Sequence, residues 1–150
     1  MLRDRLNEEL KSAMKAKEAD RVGTLRLVNA AIKDKEIALR GEGKPAIDEQ
    51  GVLDILQKMV KQRRDSIQAF EAGGRTDLAA KEQGEIDIIS AFLPTQLSDA
   101  ELATACAGVI GDLGAAGPKD MGKVMGALKE RFAGQMDFTK ASAKVKELLS

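Results

Sequence analysis

DEQGVLDILQKMVKQRRDSIQAFEAGG, residues 48–74, contains the longest amphipathic pattern of the chain. Its apolar residues recur every three or four positions, the spacing that places them on one face of an α-helix. They are Val52, Leu56, Met59, Val60, Ile67 and Phe70. Asp48 is a residue type that caps helix N-termini, and the pair Gly73-Gly74 is a C-terminal stop signal. The stretch therefore predicts one long helix with signals at both ends.

Similar patterns lie on both sides of this helix. Two helices are predicted before it, with apolar stripes Leu2, Leu6, Leu10 and Met14, and then Val22, Leu25, Val28 and Ile32. The second of these ends near the glycine and proline residues of GEGKP (41–45). A fourth helix is predicted after the long one, with Asp77 as its N-cap, an apolar face that reaches Leu93, and Pro94 as its end.

The last third of the chain predicts three shorter helices. Ser98 and Glu101 have the spacing of a capping box, in which each side chain binds the other residue's backbone N–H. Apolar stripes follow at Leu102, Cys106, Val109 and Leu113, at Met121, Val124, Leu128 and Phe132, and at Phe138, Ala141, Val145 and Leu148. Gly134 is the predicted end of the middle helix, and Asp137 the predicted N-cap of the last.

These patterns predict an all-α protein in two parts, because no segment alternates for long enough to form a strand. Residues 1–95 form an N-terminal domain of about four helices, arranged as a helical hairpin or bundle. Residues 96–150 form a small tail domain of three helices. The boundary is placed where Pro94 is followed by the new capping box.

Composition restricts the compartment and the partners. The chain has 24 basic and 24 acidic residues, so no global field attracts it to nucleic acid or to a membrane. Its one cysteine, Cys106, excludes an intramolecular disulfide and suits a reducing compartment. The N-terminus has no secretory segment, and no run approaches the roughly 18 apolar residues of a membrane helix. We therefore expect a cytoplasmic protein that does not enter membranes.

The residues indicate no catalytic site. The chain has no histidine, which removes the usual general base and the usual metal ligand. We therefore predict no catalytic residues, no metal and no cofactor. Three side chains remain as candidates if the chain is an enzyme: Cys106, which occupies a predicted core position, and the carboxylates of Glu82 and Glu85 on one helix turn. A buried structural thiol and a solvated helix face are the plainer interpretations.

Basic side chains in the tail are the main candidates for binding an anionic partner. Lys119 and Lys123 are four residues apart near a helix start, and Lys140 and Lys144 have the same spacing on the last helix. Lysines beside a glycine-rich loop and a helix N-terminus can contact phosphates. A solvated exterior explains these lysines as well.

A secondary basic patch is predicted on the long helix, from Lys58, Lys61 and Arg64. Lys61 and Arg64 are three residues apart and share a face. A solvated helix exterior is again the plainer interpretation.

The sixth helix contains two glycines, Gly122 and Gly126. Each lowers the stability of the helix by up to about 1 kcal/mol relative to alanine. Four residues apart, they share one smooth face, which another backbone, of protein or nucleic acid, could approach closely. Tight packing within the tail explains them equally well.

The chain resembles the GatB/YqeY proteins along nearly its whole length. The segments AMKAKEADRVGTLRLVNAAIKDKEI (13–37) and KMVKQRRDSIQAFEAGGRTDLAAKEQGEI (58–86) resemble the N-terminal helices of that family. FLPTQLSDAEL (92–102) resembles its linker. KDMGKVMGALKERFAGQMDFTKASAKVKELL (119–149) is similar to the tail that the family shares with GatB, the B subunit of the tRNA-dependent amidotransferase. Gln135 stands after Gly134, where many relatives have a basic residue.

The resemblance implies a helical N-terminal domain, a small helical tail and a link to tRNA. The amidotransferase is a carbon–nitrogen ligase that uses glutamine as amido donor, and its tail helps to hold the tRNA. This chain is similar to the tail and not to the catalytic cradle. We therefore expect a non-catalytic module that binds tRNA, with an amidotransferase or tRNA-synthetase complex as a candidate partner. Phosphates would be contacted by Lys119, Lys123, Lys140 and Lys144, and Gly122, Gly126 and Gly134 would permit close approach.

A protein–protein adaptor is the alternative, acting through the N-terminal helical hairpin without nucleic acid. An exposed apolar patch on that hairpin would favour it. An enzyme in its own right is a third alternative, and turnover of glutamine by the chain alone would establish it.

Overall fold

The structure, a computed structural model, describes residues 1–150. It contains seven α-helices, one short 3-10 turn and no strand, which confirms the predicted all-α class. The helices are α1 (Leu2–Lys15), α2 (Ala19–Gly41), α3 (Glu49–Ala72), α4 (Thr76–Ser90), α5 (Asp99–Leu113), α6 (Met121–Arg131) and α7 (Phe138–Leu149). The 3-10 turn Pro118–Asp120 directly precedes α6.

The chain forms two compact units, Met1–Pro94 and Thr95–Ser150. The N-terminal unit contains α1 to α4 around one apolar core, in which α3 and α4 form the most extensive contact. Its fully buried side chains include Leu6, Leu25, Val28, Ile32, Val52, Leu56 and Ile89. Burial of each such side chain contributes roughly 1.5–3 kcal/mol, so the core stabilises the unit.

The long helix α3 forms as its sequence predicts. Asp48 is the N-cap, and its Oδ1 accepts a hydrogen bond from the Gly51 backbone N–H over 2.8 Å. The helix ends at Ala72, and Gly74 adopts a left-handed backbone with φ +73°. A residue with a Cβ is strained in that conformation. The glycine pair therefore lets the chain reverse between α3 and α4.

The predicted boundaries of α4 are wrong at both ends. The helix begins at Thr76 with Arg75 as N-cap, so Asp77 lies in its first turn. There the guanidinium of Arg75 donates hydrogen bonds to the Asp77 carboxylate and lowers the pKa of that group. The helix ends at Ser90, four residues before Pro94, and a tight turn buries Phe92 in the core.

The C-terminal unit packs α5, α6 and α7 against one another. Ser98 and Glu101 form the predicted capping box: Ser98 Oγ accepts from the Glu101 N–H, and Glu101 Oε1 accepts from the Ser98 N–H. α5 ends at Leu113, and its C-cap Gly114 adopts a left-handed conformation with φ +63°. The core of this unit contains Leu102, Cys106, Val109, Val124, Leu128, Met136, Ala141, Val145 and Leu149.

The predicted end of α6 needs correction. The helix stops at Arg131, and Phe132 is its C-cap, where the backbone N–H donates to the Leu128 carbonyl oxygen over 2.9 Å. Gly134 lies beyond the helix with φ +75°. This left-handed turn directs Met136 into the core, where it is 2% exposed.

Candidate nucleic-acid interface

Helix α6 presents a polar outer face because its apolar residues all turn inward. Val124 and Leu128 are fully buried against α5 and α7. The opposite face begins in the 3-10 turn and contains Lys119, Gly122, Lys123 and Gly126, all of which are exposed. Their spacing of three and four residues makes them neighbours on the helix surface.

The 3-10 turn fixes the start of this face. The Asp120 backbone N–H donates to the Gly117 carbonyl oxygen over 3.0 Å. Asp120 Oδ2 in turn accepts from the Ala116 backbone N–H over 3.0 Å. Pro118 occupies the first position of the turn, where its missing N–H costs nothing. Lys119 is therefore attached to a backbone that is held by hydrogen bonds on both sides.

The two glycines of α6 face open space. A Cβ built on Gly122 or on Gly126 would meet no atom within 4 Å. Tight packing within the tail therefore does not explain these glycines, contrary to one of the two sequence interpretations. What the glycines create is a flat backbone surface that no side chain of this unit covers.

Lys119 and Lys123 have no acidic partner. Both side chains lie beside the exposed glycines, and neither forms an ion pair within the chain. Asp120 follows Lys119 and lies three residues before Lys123, but its Oδ2 accepts from the Ala116 backbone N–H. An exposed ammonium outside any ion pair keeps its charge available to an external anion. The result is a small local region of positive charge on a chain of zero net charge.

The other two candidate lysines occupy a different environment. Lys140 and Lys144 line a shallow groove between α5 and α7, to which α6 contributes no residue. Lys140 Nζ lies 3.8 Å from Asp99 Oδ1, and Lys144 Nζ lies 3.6 Å from Glu147 Oε1. The groove therefore brings Lys140 and Lys144 together without Lys119 or Lys123, and the charges of these two lysines are partly neutralised.

The secondary basic patch on α3 is interrupted by acidic residues. Lys58, Lys61 and Arg64 are all exposed. Asp54 lies four residues before Lys58, and Asp65 lies four residues after Lys61, so acids and bases adjoin on the helix surface. This pattern is typical of a solvated helix exterior.

The candidate catalytic side chains are engaged in structural contacts. Cys106 is fully buried, and burial raises the pKa of its thiol, an effect that the Lys144 ammonium opposes. The carboxylates of Glu82 and Glu85 both face Arg63, whose Nε lies 4.0 Å and 2.7 Å from them. No group of three or more acidic or cysteine side chains has the geometry of a metal site.

Comparison with known proteins assigns the chain to a family. The model of the family described as Yqey-like protein matches residues 3–149. The chain belongs to the YqeY family.

Curated relatives of this YqeY protein include fungal proteins that share one name. It is 46% identical over 88 residues to a Saccharomyces cerevisiae protein named "Altered inheritance of mitochondria protein 41, mitochondrial". Proteins of the same name from Eremothecium gossypii and Lachancea thermotolerans are 44% and 40% identical over 88 residues. Each alignment covers 59% of this chain and 46% of the relative, so the match spans about half the length of the relatives.

The names of these relatives contradict the predicted cytoplasmic location. They are called mitochondrial proteins. The prediction was wrong because its grounds, a lone cysteine and a charged composition, suit any reducing compartment and do not separate the cytoplasm from others. None of the helices is both long enough and apolar enough to cross a membrane.

Sequence reasoning missed the contacts that hold the segment between α6 and α7. Gln96 Nε2 donates to the Gly134 carbonyl oxygen, and the Leu97 N–H donates to the Gln135 carbonyl oxygen over 2.8 Å. Gln135 therefore acts here through its backbone. The only sequence signal was Gly134, a residue type suited to a left-handed turn, since hydrogen bonds between distant segments leave no periodic pattern.

Proposed function

We propose that this YqeY protein is a non-catalytic accessory module that binds tRNA through the outer face of α6. Lys119 and Lys123 contact backbone phosphates, and Gly122 and Gly126 allow the RNA backbone to approach the helix closely. The observation that carries the proposal is the combination of two unpaired lysines with two glycines that face open space. Lysine contacts to phosphates supply affinity and orientation without reading sequence.

We further propose that residues 119–149 correspond to the tail of the amidotransferase B subunit, and this correspondence is our reason for choosing tRNA as the ligand class. In that enzyme the tail helps to hold the tRNA. An amidotransferase or tRNA-synthetase complex is accordingly the partner that we propose for a tRNA-bound form of this chain. The module contributes no chemistry to such a complex, because Cys106 is buried in a core and the carboxylates of Glu82 and Glu85 face Arg63.

Recognition by this face depends on RNA shape. Single-stranded bases are usually bound by stacking on exposed aromatic rings. The two aromatic residues of the C-terminal unit, Phe132 and Phe138, are half-buried and pack against its core. The backbone of a folded RNA is therefore the ligand that fits this surface.

The groove between α5 and α7 contributes less than the sequence suggests. Asp99 and Glu147 lie beside Lys140 and Lys144, and a carboxylate next to an ammonium repels an approaching phosphate. We therefore assign phosphate binding to the first lysine pair.

The test is binding of fluorescently labelled bulk tRNA by the full-length protein, followed by anisotropy at low and near-physiological salt. The proposal expects an affinity that falls with salt, since each phosphate contact releases a counterion. A double-stranded DNA with the same number of nucleotides as the tRNA serves as the comparison ligand and should bind more weakly. Failure to bind tRNA at either salt concentration would refute the proposal.

A further inference from the structure

Helix α2 exposes a second apolar stripe, opposite the face that it buries. Leu25, Val28 and Ile32 point into the core of the N-terminal unit. The exposed stripe advances in alternating steps of four and three residues, the heptad spacing of helices that pair with another helix. It comprises the apolar or small residues Gly23, Leu27, Ala30, Ile37 and Gly41, together with one charged residue, Asp34.

Two large side chains anchor this stripe. Leu27 is 50% exposed and Ile37 is 56% exposed. They are separated by ten residues, which is about 15 Å along a helix. Single exposed apolar residues are common on proteins, but two of them at heptad positions of one helix define a seam, which the charged residue Asp34 interrupts.

Both stripe residues beyond these anchors, and one of the two between them, are small. A Cβ built on Gly23 or Gly41 would meet no atom within 4 Å, so the backbone is open at both ends of the seam. Ala30 is exposed near the middle. Small residues between large ones leave room for the side chains of an approaching helix.

A row of basic residues borders one side of the seam. Arg26, Lys33 and Arg40 are seven residues apart, so they line one edge of the heptad pattern, and all three are exposed. None of them forms an ion pair within the chain. Other exposed or half-exposed basic residues of the same unit, such as Arg3 and Arg21, do form ion pairs.

The opposite edge of the seam carries no charge, since Ala31 and Ala38 occupy it. Because only one edge is charged, a second copy of α2 is disfavoured as the occupant. In an antiparallel pair the two basic edges would face each other, and like charges at these positions repel. In a parallel pair each basic edge would meet alanines and gain nothing.

We propose that the exposed face of α2 binds an amphipathic helix of another protein. The apolar stripe of that helix packs on Leu27 and Ile37, and its acidic residues pair with Arg26, Lys33 and Arg40. Exposed Asp34 lies within the seam, so the bound helix supplies a hydrogen-bond donor opposite it; a buried carboxylate without a partner is costly. This surface lies on a different helix from the RNA face proposed for α6, and the proposal goes beyond that function.

The test uses two synthetic helical peptides of three heptads with the same leucine and alanine seam and one asparagine placed opposite Asp34. The first peptide has glutamate at the flanking positions, and the second has lysine there. Full-length protein is titrated into each labelled peptide. The proposal expects the glutamate peptide to bind at least tenfold more tightly than the lysine peptide.

Three variants sharpen the test. R26E/K33E should reverse the preference between the peptides by at least tenfold, whereas K58E/R64E, the same change of charge on the exposed surface of α3, should leave it unchanged. L27D/I37D should weaken the binding of both peptides at least tenfold. Circular dichroism confirms that each variant is folded, which is expected because every substituted side chain is exposed.

Five outcomes would overturn the proposal. The first four are equal affinity for both peptides, no binding of either peptide, a preference that R26E/K33E leaves unchanged, and self-association of the protein that L27D/I37D abolishes. The fourth outcome would mean that a second copy covers the face. Displacement of the glutamate peptide by anionic lipid vesicles, in a manner that depends on Leu27 and Ile37, would instead identify a membrane surface and would also contradict the proposal.

Discussion

Arg63 on α3 donates a hydrogen bond from Nε to Oε2 of Glu85 on α4, over 2.7 Å. Arg63 Nη1 also donates to the Met59 carbonyl oxygen over 3.1 Å. The Arg63 side chain is only 13% exposed, so water screens this ion pair less than a surface pair. The pair connects the two helices with the most extensive contact in the N-terminal unit.

Replacing Glu85 by glutamine should lower the free energy of unfolding by about 1–3 kcal/mol, because a mostly buried guanidinium then loses its charged partner. Glu82, at 4.0 Å from Arg63 Nε, retains part of the attraction. Urea unfolding followed by circular dichroism measures the change. Glu71→Gln, which removes the charge of an exposed residue on α3, is the control. Equal stability of the two variants would contradict a structural role for Glu85.

The capping box of α5 predicts a pH dependence of stability. The Ser98 backbone N–H and then its side chain lower the pKa of the Glu101 carboxyl below its ordinary 4.5. A group whose pKa is lowered on folding stabilises the protein fully above its unfolded-state pKa, and this contribution is lost as the pH falls through the lowered value.

Glu101→Gln should therefore be less stable than the parent protein at about pH 7, and the difference should be smaller at about pH 3. Urea midpoints at both pH values measure the difference. The amide retains capping geometry, so the comparison isolates the charge. A difference that is the same at both pH values would show that charge does not contribute.

The thiol of Cys106 should react slowly in the folded protein. It is fully buried, its pKa is raised by burial, and Sγ lies 4.0 Å from the Ala141 carbonyl oxygen. Reactive cysteines have accessible, stabilised thiolates. Alkylation by iodoacetamide, monitored by mass spectrometry, should accelerate by more than about tenfold when urea unfolds the chain. Rapid alkylation of the native protein would reopen a catalytic role for this residue.

Gly126→Ala should have opposite effects on helix stability and on tRNA binding. Alanine is favoured in a helix by up to about 1 kcal/mol, and a Cβ at this position has open space. We expect the variant to be more stable in urea and to bind tRNA more weakly, because the methyl group holds the RNA backbone away. Gly108→Ala, on the exposed surface of α5, should be stabilised without any change in binding. If Gly126→Ala binds tRNA as tightly as the parent protein, the glycines of α6 do not contribute to RNA binding.

Much of the fold followed from local patterns in the sequence. Asp48, the Gly73-Gly74 pair and the box at Ser98 act within a few residues of their own helix ends, so their roles could be predicted. The ends of α4 and α6 could not. Tertiary packing of Phe92 and Met136 determines those ends, and no local propensity encodes it.

The sequence identified the four candidate lysines, but it could not show which of them lie in the same environment. Lys119, Lys123, Lys140 and Lys144 share the same i, i+4 spacing. Only the packing of α5 against α7 brings Asp99 beside Lys140, and this distinguishes the second pair from the first. The exposed face of α2 was not predicted. Its apolar residues alternate along the sequence with those of the buried stripe, so the helix has apolar residues on two sides and the sequence does not show which side is exposed.

The most direct test of the RNA-binding account compares the two lysine pairs in the full-length protein. The double variants K119A/K123A and K140A/K144A carry the same change of charge. Binding of labelled bulk tRNA is measured by anisotropy across a salt series. The account predicts that K119A/K123A weakens binding and reduces the logarithmic salt slope by about two, near one per lost phosphate contact, whereas K140A/K144A has little effect. Equal losses, or a loss confined to K140A/K144A, would contradict it.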